Sequence, residues 1–350
     1  MEDHIINKEI ISKFLSEKLN ENINIIKIEK IGHGYHSDGF KLTANNNKNY
    51  FLKKVKSHDL GFELPERKVS SLLTGHEMAK RVNKSPLPIG ITLINKNNSG
   101  ILPDLNEETE IYHIQELETN GKNYWDMIKE KENKKIIDKE DIEEINKVVD
   151  YISHVHSIKH PSKDVERLKS VYNDSLRSIL SHPELTFMLL HDFKEDHEFF
   201  PRSLQKEYIG LMYDLVHKYK DKYERLSALH GDFWGANFFF KENKDTWVID
   251  YSRIPWGDPG VDIGWWFSQY WARYQMTNNN YFKELGELFL KTYEIKTGNK
   301  EIRKHISVVL GLMALINITP RFYPNLDPKI GKKIIENTLE ILKNGELKWN

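Results

Sequence analysis

Residues 230 to 237 read HGDFWGAN and combine an acid, an amide and two glycines in one short stretch. Asp232 and Asn237 stand five residues apart, and the acid Asp250 follows a short apolar segment further along the chain. A carboxylate can accept the proton of an attacking hydroxyl group. Carboxylate and amide oxygens are also ligands that Mg²⁺ prefers. These residue types are therefore suited to move a charged group with the help of a hard cation.

The spacing of these three residues is the one that kinases use for phosphoryl transfer. There the first acid accepts the proton of the hydroxyl nucleophile, while the Asn and the later acid hold Mg²⁺ on the ATP phosphates. Gly231 and Gly235 would let the backbone turn tightly enough to bring the side chains together. The alternative is that Asp232 and Asn237 are turn and cap residues. The presence of Asp250 at the right distance favours the chemical interpretation.

Two stretches, HGDFWGANFFF at 230–240 and WVIDYSRIPWGDPGVDIGWW at 247–266, closely resemble the aminoglycoside phosphotransferase and choline kinase-like superfamily. Its members are small-molecule kinases with a protein-kinase-like fold. The resemblance implies that Asp232 is the catalytic base and that Asn237 and Asp250 bind Mg²⁺. It further implies structural support of the loop by two residues. These are His230 and Asp262, the latter following the sequence Gly257-Asp258-Pro259.

The same resemblance implies a nucleotide-binding region near the N-terminus. Gly34 and Ser37 match a Gly-x-x-Ser loop whose backbone N–H groups and hydroxyl would meet the phosphates, although a plain hairpin turn remains the alternative. Lys53 and Lys54 point to opposite faces of a strand, so only one can reach the phosphates. The family's Tyr-x-Leu-Lys pattern favours Lys53. Its expected partner is Glu77 on the following helix, and a solvated Glu is the alternative.

An extended segment near residues 114–121 fits a hinge between two lobes. Backbone groups of Gln115, Glu116 and Leu117 would then read adenine, and the cofactors are expected to be ATP and Mg²⁺. The sequence leaves GTP open as the donor. Trp234, two residues after the expected base, is the candidate for touching the acceptor. The aromatic residues between 256 and 271 fit either a substrate pocket or core packing, and core packing is the default on a helix.

Apolar periodicity predicts an α+β fold with two lobes. Residues 1–117 form the N-terminal nucleotide-binding lobe, with an antiparallel sheet, and 118–350 form a larger, mainly helical lobe. The charged stretch 129–147 is expected to be a solvated loop and helix face. In the first lobe, helices are expected at 5–20 and 64–83 and strands at 23–32, 40–44, 50–55, 89–94 and 111–117. In the second lobe, helices are expected at 164–182, 202–226 and between 262 and 345, and strands at 237–241 and 246–250.

Bulk composition limits the class of protein. The chain has 350 residues, a formal net charge of -1 and no cysteine. Near-neutral charge argues against nucleic acid as a partner, and the absence of cysteine excludes thiolate catalysis and Cys-ligated zinc. The first residues carry acids and no apolar stretch, so we do not expect a signal peptide, and no apolar run is long enough to predict a membrane span. We therefore expect a cytoplasmic monomer or homodimer.

The sequence predicts an ATP- and Mg²⁺-dependent phosphotransferase that acts on a hydroxyl of a small molecule. The acceptor stays open among aminoglycosides, amino alcohols, sugars and nucleosides, because a fold does not name a substrate. One alternative is a kinase that acts on a protein or on a sugar attached to protein. Another is a binding protein with a kinase fold and no activity, although Asp232, Asn237, Asp250 and Lys53 are all in place.

Overall fold

The computed structural model describes residues 6–34, 37–56, 64–84, 86–94, 109–181, 186–242, 245–251 and 253–349. The helices and strands of the first part are, in chain order, α1 (Lys8–Leu19), β1 (Ile25–His33), β2 (Ser37–Ala44), β3 (Asn49–Val55), α2 (Pro65–Val82), β4 (Pro88–Ile94) and β5 (Glu110–Glu116). The chain continues with β6 (Gly121–Asn123), α3 (Tyr124–Glu130), α4 (Lys139–Ser157), α5 (Val165–Ser181), α6 (Thr186–His191), α7 (Arg202–Tyr219) and β7 (Ser227–Ala228). The last elements are β8 (Phe238–Lys241), β9 (Thr246–Val248), β10 (Trp256–Gly257), α8 (Gly260–Thr277), α9 (Asn280–Thr297), α10 (Ile302–Ile318) and α11 (Pro328–Asn344).

The chain folds into two compact units. The first contains residues up to 121 together with 247–252, and the second contains 122–246 together with 253–350. The segment 247–252, which carries Asp250, thus returns to the first unit. That the two lobes are separate domains, divided between residues 117 and 118, stays a prediction. No helix among the described residues combines the length and the apolar character that crossing a bilayer requires.

The first unit is built on an antiparallel sheet with the strand order β1-β2-β3-β5-β4. Side chains alternate between the two faces of each strand, so Leu42 and Leu52 are buried together with Ile114. Helix α1 covers this apolar face with Ile11 and Leu15. The predicted antiparallel sheet is confirmed. The register places Lys53 of β3 opposite His113 of β5.

The second unit is mainly helical, and α8 and α10 pack together in it. A side chain at Gly264 of α8 would lie 2.8 Å from the Cβ atom of Val309 in α10, so the two helices approach closely there. Trp266, Tyr270 and Trp271 are all fully buried. These rings therefore belong to the core, in agreement with the default interpretation of an aromatic run on a helix.

The prediction of a solvated face for 129–147 is wrong for two acids of α4. Asp141 is fully buried and Glu144 nearly so. The amino group of Lys131 contacts both, at 2.9 and 2.6 Å, and Lys134 contacts Asp141 at 2.7 Å. Although burial opposes its ionisation, hydrogen bonds from Lys134 and Lys131 lower the pKa of Asp141 to about 2. A buried carboxylate is tolerated here because lysines accompany it.

Candidate active site

The loop that carries the HGD sequence lies in the second unit between β7 and β8. Gly231 has a φ of +83°, in the left-handed region. A Cβ atom at this position would lie 2.6 Å from the backbone nitrogen of Ile254 and 2.8 Å from its carbonyl oxygen. A side chain is therefore excluded both by conformation and by space. The glycine lets the chain pass directly against the segment that follows Asp250.

Asp262, in the first turn of α8, holds the backbone of this loop. Its Oδ2 accepts the N–H of His230 at 2.7 Å, and its Oδ1 accepts the N–H of Gly231 at 2.9 Å. His156 of α4 contacts the same carboxylate at 3.1 Å. The Nδ1 atom of His230 in turn accepts the N–H of Asp232 at 3.3 Å. The structure thus places both residues that were expected to support the loop in contact with its backbone.

Asp232 and Asn237 lie side by side at the end of this network. The Nδ2 atom of Asn237 donates to the Asp232 carbonyl oxygen at 2.9 Å and to Oδ2 of the Asp232 carboxylate at 3.1 Å. A carboxylate and a carbonyl can only accept, so these contacts fix which end of the amide is nitrogen. The amide oxygen therefore points away from Asp232. Both side chains are mostly buried, which limits their rotation.

Sequence reasoning missed the ion-pair partner of Asp232, which is Arg253. A guanidinium nitrogen of Arg253 contacts Oδ1 of Asp232, and the guanidinium carbon lies 5.3 Å from the centroid of the Trp265 ring. The arginine is therefore held between a carboxylate and an aromatic face, a geometry that favours a cation. No spacing in the sequence announces the pair, because the contact depends on how the chain turns between Asp250 and β10.

The third side of the loop is formed by α3 and α8. A Cβ atom at Gly235 would lie 2.7 Å from Oε1 of Gln269 and 2.9 Å from the backbone nitrogen of Trp125. The rings of Trp125 and Trp234 meet edge to face, with centroids 5.7 Å apart. Trp234, the expected acceptor contact, is partly exposed. Its ring stands beside the loop instead of entering the core.

In the first unit, Lys53 contacts Asp250. The Lys53 ammonium lies 2.8 Å from Oδ1 of Asp250. Asp250 has a φ of +67°, which is uncommon for a residue other than glycine and costs conformational energy. Lys54, on the other face of β3, contacts Glu110 at 2.5 Å instead. Of the two lysines, Lys53 is therefore the one beside the candidate metal ligand.

The structure contradicts the expected pair between Lys53 and Glu77. The side chain of Glu77 is 54% exposed, and its nearest cation is Lys80 at 4.0 Å. The buried face of α2 includes Lys68, Leu72 and His76. Glu77 stands nine residues after Lys68, which is about two and a half helical turns, so it points to the opposite side. The helical periodicity therefore excludes Glu77 from the buried face of α2.

A pair of buried histidines lies on the Lys53 side of the sheet. His113, opposite Lys53 in the register, is within 3.4 Å of Nδ1 of His76. Burial, together with the positive charge of Lys53, lowers the pKa of His113 to about 3. Burial also lowers the pKa of His76. Both rings are therefore neutral near pH 7. Helix α2 was expected to place the acid Glu77 on this side of the sheet, but it places the neutral His76 there.

The expected phosphate loop spans the turn between β1 and β2. The N–H of Gly34 donates to the carbonyl oxygen of Ser37 at 2.8 Å, and the Lys56 ammonium donates to the carbonyl oxygen of Gly34 at 2.6 Å. Residues 35 and 36, between them, lie outside the described residues. Gly34 and Ser37 thus occupy the tip of a hairpin, and a role for them in phosphate binding stays a prediction.

Of the three residues expected to read adenine, two are part of the sheet. Gln115 pairs with Phe51 and Pro88, and Glu116 ends β5. The N–H of Glu116 donates to the carbonyl oxygen of Leu87 at 2.9 Å. That N–H is therefore engaged within the sheet, while a role for the other backbone groups of these residues in adenine binding stays a prediction. Leu117 follows the last paired residue and is the better candidate.

A second buried carboxylate, Asp258, anchors the segment before α8. Arg225 donates to it at 2.6 and 3.0 Å, and the hydroxyl of Tyr172 donates at 2.7 Å. His305 contacts it at 3.0 Å. Burial opposes ionisation, but the hydrogen bonds from His305 and Arg225 hold the pKa of Asp258 well below its usual range. The sequence identified Asp258 as part of a motif but not these partners.

A cavity of about 600 Å³ opens elsewhere in the second unit. It is lined by residues at the ends of α4 and α9, with Lys159, Arg225 and Asn299. Neither Asp232 nor Asn237 lines it. Volume alone therefore does not identify the place of the chemistry, and the polar geometry of the loop is the better guide.

The candidate metal ligands suit Mg²⁺ by their chemistry. Asp250 supplies a carboxylate, and Asn237 supplies an amide oxygen that its own hydrogen bonds turn away from Asp232. Within the described ranges, no cluster of three or more His, Cys, Asp or Glu side chains forms a metal site. Mg²⁺ usually takes only one or two protein ligands and completes its shell with water and phosphate oxygens. Each of these two side chains is therefore of a type that fits Mg²⁺, and their binding of one shared ion stays a prediction.

Part of the chain matches the model of a known family. Residues 139–301 match the model of the phosphotransferase enzyme family, which confirms the resemblance expected from the HGD and GDP sequences. This match supports a phosphotransferase. The segment includes Asp232, Asn237, Asp250 and Asp262. A search of curated proteins by sequence finds no match.

Two solved structures show the fold. A protein described as a fructosamine-3-kinase from Haemophilus somnus has a TM-score of 0.55 at 16% identity, covering 94% of this chain and 96% of its own. A thermostable variant of the aminoglycoside phosphotransferase APH(4)-Ia, in a ternary complex with AMP-PNP and hygromycin B, has a TM-score of 0.55 at 11% identity, covering 96% and 98%. The expected α+β, protein-kinase-like fold is confirmed.

Proposed function

We propose that this chain transfers the γ-phosphate of ATP to a hydroxyl of a small molecule, with Mg²⁺ as the required ion. The observation that carries the proposal is the pairing of Asp232 with Asn237 on a turn whose backbone Asp262 holds. An acid next to an amide in a fixed geometry suits a reaction in which a hydroxyl must be oriented beside a metal-bound phosphate. The match to the phosphotransferase enzyme family supports the same reaction class.

In this proposal Asp232 accepts the hydroxyl proton. The acceptor oxygen forms a bond to the γ-phosphorus, the bond from that phosphorus to the β,γ-bridging oxygen breaks, and ADP leaves with that electron pair. The proton passes from the acceptor hydroxyl to the Asp232 carboxylate. Because the transition state of phosphoryl transfer is loose, orientation of the hydroxyl contributes at least as much as proton removal. His230 and Asp262 act by keeping the loop in position.

On the nucleotide side, Lys53 would bind the α- and β-phosphates, and Gly34 and Ser37 would cover the phosphates. Asp250 and Asn237 would hold Mg²⁺, which neutralises charge on the transferring group when it is bound. Lys53 now contacts the carboxylate of Asp250. Arrival of a nucleotide would give both the ammonium and the carboxylate new partners of opposite charge.

The structural relatives agree with a nucleotide and a small acceptor. The APH(4)-Ia variant was solved with AMP-PNP and hygromycin B. Adenine would lie against the end of β5, where the backbone of Leu117 is the best placed of the three candidates. The acceptor would approach Asp232 beside Trp234.

A coupled assay of ADP release tests the proposal. Purified protein with Mg-ATP would be offered cationic, neutral and anionic hydroxyl compounds, with Asp232→Asn and Asp250→Ala run beside it. We expect release that depends on an acceptor and that both variants lose. Acceptor-dependent release that survives in Asp250→Ala would overturn the metal assignment. Absence of nucleotide binding in a folded protein would overturn the kinase proposal itself.

A further inference from the structure

The structure carries information on the acceptor in the surroundings of Asp232. Arg253 holds this carboxylate by an ion pair, while the Asn237 amide occupies its other oxygen. The arginine side chain is only 14% exposed and rests on Trp265, so it is not a surface cation that happens to lie near. Both contacts are with residues of the same compact unit. The fold of this unit thus places a cation in contact with the proposed base.

This pairing changes the charge that an acceptor meets. A bare carboxylate would attract a cationic acceptor by direct charge–charge interaction. A guanidinium in contact with the same carboxylate cancels most of that attraction. It also offers the forked donor geometry that fits a carboxylate or a phosphate group. A site for polycations would need the opposite arrangement, with unpaired acids around the base.

Further groups on the same side of α8 continue this pattern. Gln269 stands one helical turn after Trp265, is 6% exposed, and has no hydrogen-bond partner for either amide atom among the described residues. Its Oε1 is next to Gly235 of the HGD loop. Arg273, one turn further on, lies 4.5 Å from the ring centroid of Trp125. Arg273 pairs with Glu132, so its charge is already compensated. Arg253 and the amide of Gln269 are therefore the groups beside the loop that can serve an acceptor.

We propose that the acceptor is a hydroxyl compound that carries a carboxylate or phosphate group, and that Arg253 selects it over cationic acceptors. This inference rests on the proposed phosphotransferase function and on the role of Asp232 in it. The anionic group of the acceptor shares the guanidinium with Asp232. That contact brings the hydroxyl to the carboxylate and leaves the base ionised.

Matched acceptors of different charge test the inference. Glycerate, gluconate and glucose 6-phosphate serve as anionic probes, glycerol and glucose as neutral ones, and choline and kanamycin as cationic ones. Each is tested for ADP release and, by calorimetry, for binding to the protein loaded with Mg-ADP. The variants are Arg253→Gln and Arg253→Lys, with Arg177→Gln as a matched control on the surface of α5, where Arg177 pairs with the nearby Asp174.

We expect the native protein to prefer an anionic probe. Arg253→Gln should lower kcat/KM for it by about 30- to 100-fold, the range for a lost charge-assisted hydrogen bond. The loss should be larger for anionic probes, where KM also rises, than for neutral probes, which lose only the partner of Asp232, and cationic probes should show a relative gain. Arg253→Lys should restore part of the preference, and Arg177→Gln should behave as the native protein. Comparing carboxylate with phosphate probes tells which anion is bound.

Two results would overturn the inference and leave the kinase in place. One is turnover that prefers cationic acceptors. The other is a preference among the three charge classes that Arg253→Gln does not change while its melting temperature stays near that of the native protein. Failure to bind Mg-ADP, with no release for any probe, would instead remove the proposed function on which the inference rests.

Discussion

Two pairs of aspartates, Asp258 with Asp262 and Asp232 with Asp250, differ in burial and in the groups that hold them. Asp258 and Asp262 are almost completely buried, and each accepts hydrogen bonds from several side chains or backbone groups that cannot leave. Asp232 is held by Arg253 and Asn237, and the side chain of Asp250, still 31% exposed, is held by Lys53. A long cation at a partly open site can exchange its partner for a ligand. A saturated carboxylate in the core cannot.

The fold thus distinguishes two carboxylates that are fixed in the core from the two that we propose to take part in the chemistry. Burying a charge is tolerated only with paired donors, and Asp258 and Asp262 have them. Nothing in their surroundings is left to respond to a substrate. The two less buried acids lie at or next to a residue with positive φ. For Asp232 this residue is the preceding Gly231, and for Asp250 it is the aspartate itself. Glycine adopts a positive φ without strain, whereas the positive φ of Asp250 costs conformational energy and is retained where the position of a side chain matters.

The largest effect is expected for the chemical pair. Asp232→Asn keeps the shape of the side chain but cannot accept the hydroxyl proton. Acceptor-dependent turnover should fall by about 10²- to 10⁴-fold, with a smaller loss of thermal stability than for a core carboxylate, because Arg253 keeps some access to water. Steady-state kinetics and a thermal melt of the same preparation measure both. A loss of stability as large as that of a core variant would assign Asp232 to the structural pair.

Asp262→Asn should do the reverse and lower stability first. The change leaves His156 and two backbone N–H groups with a weaker acceptor, or with an amide N–H₂ facing donors. The expected loss is about 3 to 5 kcal/mol, the usual result of breaking a buried charged pair. Urea unfolding measures this loss. Thr338→Ser, a mild change at a buried position of α11, serves as a control whose free energy of unfolding should change much less. Unchanged unfolding would remove Asp262 from the structural group.

Lowering the pH should remove the contribution of another buried carboxylate, Asp141, to the free energy of unfolding. The pKa of Asp141 falls to about 2 in the folded protein, from an ordinary value near 4. A depressed carboxyl pKa stabilises the fold above its unfolded pKa, so this contribution is lost as the pH falls from about 4 to about 2. The expected loss is about 2 to 3 kcal/mol from this residue. Urea unfolding at a series of pH values checks it, and Asp141→Asn should flatten the dependence.

The smallest effect is expected at Glu77. The side chain is exposed and pairs weakly with Lys80. Glu77→Gln should therefore change turnover by less than about twofold and the free energy of unfolding by less than about 0.5 kcal/mol, as surface changes usually do. Lys53→Met, its matched comparison, should raise the KM for ATP and lower turnover strongly. An equal loss in both variants would mean that the first unit rearranges to bring Glu77 to Lys53.

Sequence reasoning reached the elements whose signals are local. The alternation in β2, β3 and β5 and the helical spacing in α1 and α2 are properties of short segments, and the structure has these elements within a few residues of their predicted ends. The HGD loop and its acids could be found because their spacing along the chain is itself the motif. A local pattern determines a local structure whenever tertiary packing agrees with it.

The residues that were missed depend on distant contacts. Arg253 reaches Asp232 across 21 positions, and Arg225 reaches Asp258 across 33. Asp141 looked like one of many charges on a solvated helix, yet the hydroxyl of Tyr281 donates to it at 2.8 Å inside the second unit. Composition cannot tell which charge in a run faces inward. That choice is made by the helices that pack against it.

Phosphorus NMR of the complete reaction tests the central claim most directly. The protein would be incubated with Mg-ATP and the pooled hydroxyl compounds, with Asp232→Asn at an equal concentration of folded protein as the comparison. We predict a new phosphomonoester signal that grows in step with ADP in the native protein and is nearly absent in the variant. ADP accompanied only by inorganic phosphate, or a phosphomonoester formed equally well by Asp232→Asn, would contradict the account.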